Sequence, residues 1–138
     1  MQKALFSLKK YNFPEVKIDF INFDGECDRL DLDIETGGVF YSSTRTFNLK
    51  FKFRAFNSKT EKTCIEILCL GEYVFNEAIS LQEVPIYFYA NSIAILFPYV
   101  RAFVSTVTLQ ANYPPIVLPT MNLSSLSEKL RDNVQVVD

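Results

Sequence analysis

Asn91-Ser92-Ile93-Ala94-Ile95-Leu96-Phe97-Pro98-Tyr99-Val100-Arg101, running on to Asn112-Tyr113-Pro114-Pro115-Ile116-Val117-Leu118-Pro119, reads as an apolar helix followed by a Pro-punctuated extended crossover. From Val84 to Ser127 the only charged residue is Arg101. A chain of 138 residues has little interior in which to hide so much uncharged surface. The segment is therefore expected to be covered by a second copy, offered to an apolar client, or both.

Working outward, Ile93, Leu96, Val100, Val104 (with Phe103), Val107 and Ala111 recur at helical spacing, with Asn91 as a plausible cap. Pro98 lies inside the pattern and is expected to kink it or to begin its straight portion. Thr106, Val107 and Thr108 are β-branched, so burial rather than local propensity has to hold that part in a helix. Ser80-Leu81-Gln82-Glu83 has the form of a capping box and predicts a short helix start. Past the prolines, Asn122 to Leu130 predicts a final amphipathic helix with Leu123, Leu126 and Leu130 on one stripe, after which the chain is expected to fray.

The first half has a period of two. Val16, Ile18 and Phe20 alternate with Lys17 and Asp19, and Leu30, Leu32 and Ile34 alternate with Asp31, Asp33 and Glu35. Gly37-Gly38 then reads as a turn. Phe47, Leu49, Phe51 and Phe53 alternate with Asn48, Lys50, Lys52 and Arg54, placing aromatics on a core and cations toward water or an acidic neighbouring strand. Asn57-Ser58-Lys59-Thr60 is a polar turn, and Thr63 to Phe75 a return strand. Strands first and helices last predict an α+β domain spanning residues 1–138. Its plan is a four-stranded antiparallel meander sheet over about 4–75, then two to three helices and a crossover over about 80–133, packed on one face.

Composition narrows the function. Thirteen Phe and seven Tyr in a chain that is 49% hydrophobic leave apolar area over once a core is filled. A net charge of −2 with no basic stripe argues against nucleic acid. Cys27, Cys64 and Cys69 show no CxxC spacing and have no His to join them, so no metal site or cofactor is expected, and the thiols read as buried ones in a reducing compartment. Without His the usual general base and catalytic triad are missing, and there is no phosphate-binding Gly loop or nucleophile elbow. The carboxylates Asp24, Glu26, Asp31 and Asp33 read as a solvated face, so the chain is not expected to be an enzyme. Met1 to Ser7 lacks a secretory signal, and the apolar run from Val84 to Val107 is interrupted by Pro85, Asn91, Pro98 and Arg101. A cytoplasmic protein without membrane insertion is the expectation.

What remains is a surface that binds. Tyr87, Phe88, Tyr89, Phe97 and Tyr99 are dense in aromatics for so short a span. The crossover from Tyr113 through Ile116 to Leu118 is apolar yet extended, and its free backbone suits main-chain pairing with an extended peptide. Glu15, Asp19 and Glu66 are expected to form an acidic patch for a basic partner.

The segment Asn91 to Arg101 resembles the N-x-L-F-P-Y-A-R segment of SecB, the bacterial protein-export chaperone family, and Tyr113 to Leu123 resembles its F-P-x-L-x-L-x-P-V-N-F crossover. Leu30-Asp31-Leu32-Asp33 is similar to an L-D-L-D strand of that family, and Leu8 to Phe20 to its first strand. The resemblance implies a four-stranded sheet backed by helices, self-associated as a dimer of dimers, binding non-native polypeptides in apolar grooves without ATP and handing them to the SecA motor. It implies client contacts at Tyr87, Tyr89, Phe97, Tyr99, Tyr113, Ile116 and Leu118. It also implies a SecA-facing set of Glu15, Asp19, Cys64 and Glu66, with Cys64 where Leu is usual, and a subunit interface on the long helix at Val100, Phe103, Val104 and Val107. The family's Gly-Gly segment is half kept, at Gly71, and the chain is less acidic than export members. A chaperone dedicated to one client, such as an antitoxin, is the second expectation.

Overall fold

The computed structural model describes residues 4–22, 30–118, 122 and 124–138. The readings that fall on Asp24, Glu26, Cys27, Pro119 and Leu123 lie outside the described residues. Strands β1 (Phe6–Ile18), β2 (Leu30–Tyr41), β3 (Thr46–Asn57) and β4 (Thr63–Phe75) precede helices α1 (Ile86–Gln110) and α2 (Ser124–Asp132), and a last strand β5 (Val134–Val137) follows. The sheet order is β1-β4-β3-β2-β5. The four long strands are antiparallel and β5 runs parallel to β2.

Alternation in β3 and β4 decides where the core sits. Register pairs Phe47 with Tyr73, Leu49 with Gly71, Phe51 with Cys69 and Phe53 with Ile67, and all are buried on the face that the helices cover. Phe88, in the first turns of α1, anchors the helix there, with its ring 4.7–5.0 Å from those of Phe6, Phe47 and Phe75. Farther along, Ile93, Leu96, Val100, Val104 and Thr108 complete the buried stripe. By length and apolarity α1 would suffice to cross a membrane, but in this fold that stripe lies on the chain's own sheet.

Several sequence expectations change. Gly37-Gly38 is not a turn but lies inside β2, opposite Lys50 and Leu49. The reason is steric: a Cβ on Gly38 would sit 2.3 Å from Cζ of Phe47, so the ring occupies the space a side chain would need. The turn comes later, at residues 42–45, where Arg45 takes a positive φ of 58°. Ser80 opens a single 3-10 turn (Leu81–Glu83), in which the Glu83 carboxylate accepts from both the Ser80 hydroxyl and the Ser80 N–H. Those two bonds hold the Glu83 carboxyl below the usual carboxylate range. The long helix begins after Pro85 rather than at Asn91 and runs through Pro98, whose missing N–H leaves one backbone carbonyl on the exposed side to water. Residues 134–137 do not fray: they form β5, so the sheet has five strands rather than four.

β1 breaks phase twice. Register slips by one residue between Leu8 and Lys10 and again between Asn12 and Glu15. Each slip moves the inward set by one position, so Phe6 and Leu8, then Tyr11 and Phe13, then Val16 and Ile18 all face the helix layer. Pro14 sits in the second slip, on an edge strand, where its missing N–H breaks no ladder.

Candidate functional site

The two bulges of β1 build a row of stacked aromatic pairs against the helix layer. Tyr11 stacks on Tyr99 with ring centroids 4.3 Å apart, and Phe13 on Phe103 at 4.1 Å. Beyond the strand, Phe20 stacks on Tyr113 at 3.9 Å. On α1 the contributing positions, Ile95, Tyr99, Phe103 and Val107, follow one another at intervals of four and so share a stripe. The row is only half covered: Tyr11, Tyr99 and Tyr113 each keep about two-fifths of their surface in water (41%, 42% and 41%), and Val16 and Ile95 are similarly open. Beside it runs the outer edge of β1, which has no strand partner among the described residues.

Other expected client residues are placed differently. Tyr87 is exposed on the first turn of α1. Tyr89 and Phe97 are buried, Phe97 against Phe51 and Tyr89 against Phe47, and burial raises the Tyr89 phenol's pKa, partly offset by Arg131. Ile116 and Leu118 turn inward and are buried. The backbone of Ile116 is not free: its N–H donates to Thr108 Oγ1 (3.0 Å) and its carbonyl accepts from Ser105 Oγ (2.9 Å). Thr108 is itself fully buried and donates back to the α1 carbonyls of Val104 and Ser105. The β-branched end of α1 thus straps the crossover down.

On the long helix, Val100 and Val104 are buried in the chain's own core, whereas Phe103 and Val107 remain half-buried. Of the acidic set, Glu15 and Glu66 lie on the open face of the sheet, opposite the helices. They are interleaved with cations. Register brings Lys17, Glu66, Arg54 and Asp33 into one row, and Lys52 Nζ is 3.1 Å from Glu66 Oε1. Lys52 is held above its ordinary pKa by the hydrogen bond to Glu66, then by that residue's charge. The face alternates in sign instead of presenting a uniform acidic patch. Asp19 follows β1, with its N–H donating to the Cys64 carbonyl (2.8 Å) and its carboxylate accepting from the Ile21 N–H. Cys64 is buried where the β3–β4 register shifts. Farther along the open face, away from the aromatic row, is a hollow of about 590 Å³ that reaches Gly37, Gly38 and Gly71.

Sequence reading missed Tyr11, Phe13 and Phe20. The signal was present in Phe6, Leu8, Tyr11, Phe13, Val16 and Ile18, whose spacing of two breaks to three at each bulge.

The comparisons with known proteins agree with this architecture. A SecB-like chaperone of Mycobacterium tuberculosis, solved in complex with a ChAD peptide from the HigA1 antitoxin, superposes with a TM-score of 0.64 over 85% of this chain and 91% of its own. At 12% identity that is a likeness of fold. An uncharacterised protein of Methanocaldococcus jannaschii is 50% identical over 42 residues, which is 30% of this chain and only 27% of that protein. The family model described as preprotein translocase subunit SecB matches residues 29–133, most of the chain including β2 to α2. The chain therefore belongs to the SecB family, whose members are chaperones without enzymatic activity.

Proposed function

We propose that the chain is an ATP-independent holdase for non-native polypeptides. The observation that carries this is the half-exposed aromatic row of Tyr11, Tyr99 and Tyr113 beside the β1 edge, which pairs with no strand among the described residues. An extended client laid along it buries apolar side chains at roughly 25 cal/mol per Å² while its backbone meets free donors and acceptors. In this reading Tyr87, Tyr99 and Tyr113 touch the client directly, and the buried Tyr89, Phe97, Ile116 and Leu118 support the site from the core beneath. Several such sites on a dimer of dimers give avidity without sequence specificity. Self-association then uses the accessible part of the long helix, Phe103 and Val107, with Val100 and Val104 supporting from the core.

The finer form of the proposal is export: a cytoplasmic chaperone that docks on SecA through Glu15, Asp19 and Glu66, with buried Cys64 shaping the strand beneath. The alternating charges around Glu66 favour a second form, in which a single dedicated client such as an antitoxin is served. The antitoxin peptide bound by the M. tuberculosis protein supports that form. Light scattering from an aggregating denatured substrate decides the first point. A stoichiometric excess of the protein should suppress it, and unchanged scattering sinks the holdase reading. One stoichiometric co-purifying protein together with no general suppression selects the dedicated form.

A further inference from the structure

We infer that β5 is a removable placeholder: it occupies a stretch of the β2 edge that is itself a pairing site for an extended client segment. The inference rests on the holdase reading above. β5 follows α2 with only Asn133 between them and pairs in parallel with β2, Gly38 with Val134 through Tyr41 with Val137. It fills four of the twelve positions of β2.

What holds it is mostly backbone, with one side-chain bond at each end; at the far end Ser42 Oγ donates to Asp138 Oδ1 (3.0 Å). Gly38 N–H donates to the Asn133 carbonyl (3.2 Å), Ser42 N–H donates to the Val137 carbonyl (3.0 Å), and Asn133 Nδ2 donates to the Thr36 carbonyl (3.2 Å). Only Val134 packs against the core, while Val136 and Val137 keep 50% and 43% of their surface in water. Such a strand belongs to the low-stability end of local opening. Any extended segment can repeat its main-chain bonds, because they carry no sequence information.

The side chains define what displaces it. Val134 and Val136 pair with Gly38 and Phe40 and so lie on the helix-covered side. Val136 leaves that position half filled, so a segment with a large apolar residue there buries more than β5 does. The expected occupant is an extended stretch with apolar residues at alternate positions, the second of them aromatic or Leu.

A reversible lock tests this. Val39 and Gln135 are register partners on the open face. Neighbouring strands lie about 4.8 Å apart, within the span a disulfide bridges. The double variant Val39→Cys, Gln135→Cys, in a Cys27→Ser background, is oxidised and titrated with fluorescent reduced, carboxymethylated lactalbumin as a permanently unfolded client. Closing the edge is expected to weaken binding on the order of tenfold, with recovery on adding dithiothreitol, since apparent affinity scales with the open fraction. Gln135→Pro, which removes a ladder donor from β5, is expected to tighten it. As competitors, the peptide of residues 133–138 should displace the client weakly, and the same peptide carrying Val136→Phe should displace it better. Equal client affinity in the oxidised and reduced forms overturns the placeholder and leaves the holdase standing. No client binding by any form, wild type included, removes the holdase reading and this inference with it.

Discussion

Gly38 shows how one missing Cβ fixes a strand. Locally Gly37-Gly38 is a turn signal, and what overrides it is Phe47, a residue nine positions away whose ring fills the vacated volume. Gly38→Ala puts a methyl 2.3 Å from that ring. Urea denaturation is expected to show a loss of about 1–3 kcal/mol, the usual range for overpacking. Gly37→Ala meets the Asn133 side-chain amide at 3.3 Å, a tight contact but well short of the overlap at Gly38, and should cost less. Cys69 offers a second check at this scale. Burial pushes its thiol up to about 12 from 9.0, so the folded thiol stays protonated at pH 8. Iodoacetamide should label it only as fast as the protein unfolds. Because the unfolded thiol ionises first, this group's contribution to stability is complete below pH 9 and declines as the pH rises toward about 12.

At the scale of elements, one β-branched choice that looks wrong for a helix becomes intelligible. Thr108 weakens helix propensity, yet its hydroxyl is the buried partner of the Ile116 N–H. Thr108→Val preserves the shape and leaves that amide without a partner in the core. The expected cost is about 1–3 kcal/mol, seen as a lowered Tm, with faster amide exchange at Ile116. The crossover's prolines and apolar residues told of an extended segment, and correctly so. That its backbone is strapped to α1 could not be read locally, because the strap joins residues eight and eleven positions apart across a turn. β1 is the opposite case: its bulges are written in the spacing of its apolar residues, and reading a single phase loses half the strand.

For the whole molecule, the aromatic row separates binding from stability. Replacing Tyr11 and Tyr99 together by Ala removes one stacked pair, worth about 0.5–1.5 kcal/mol beyond its area. Because both rings are already some 40% exposed, the fold should survive. Fluorescence anisotropy with an unfolded client should show affinity falling about five- to tenfold, as expected for loss of anchoring aromatics. Intact affinity would move the client site elsewhere.

By itself the sequence determined the order of elements, the meander of strands, the apolar long helix and the absence of familiar catalytic chemistry. Each of these is a matter of residue type and local period. Only the tertiary structure decided which apolar residues stay available. Periodicity puts Val100, Val104, Ile116 and Leu118 on apolar stripes but does not say what lies above them, and the sheet and α1 bury them. Tyr11 and Tyr99 stay half open because they line the β1 edge of the sheet, where no strand among the described residues completes their burial, and Tyr113 stays half open on the crossover against Phe20. The segment Val134-Gln135-Val136-Val137 does carry a β-branched, alternating strand signal, but four residues do not say which sheet edge it joins or in which direction. Its backbone bonds exist only because α2 delivers it, in parallel, to an edge left vacant by β2.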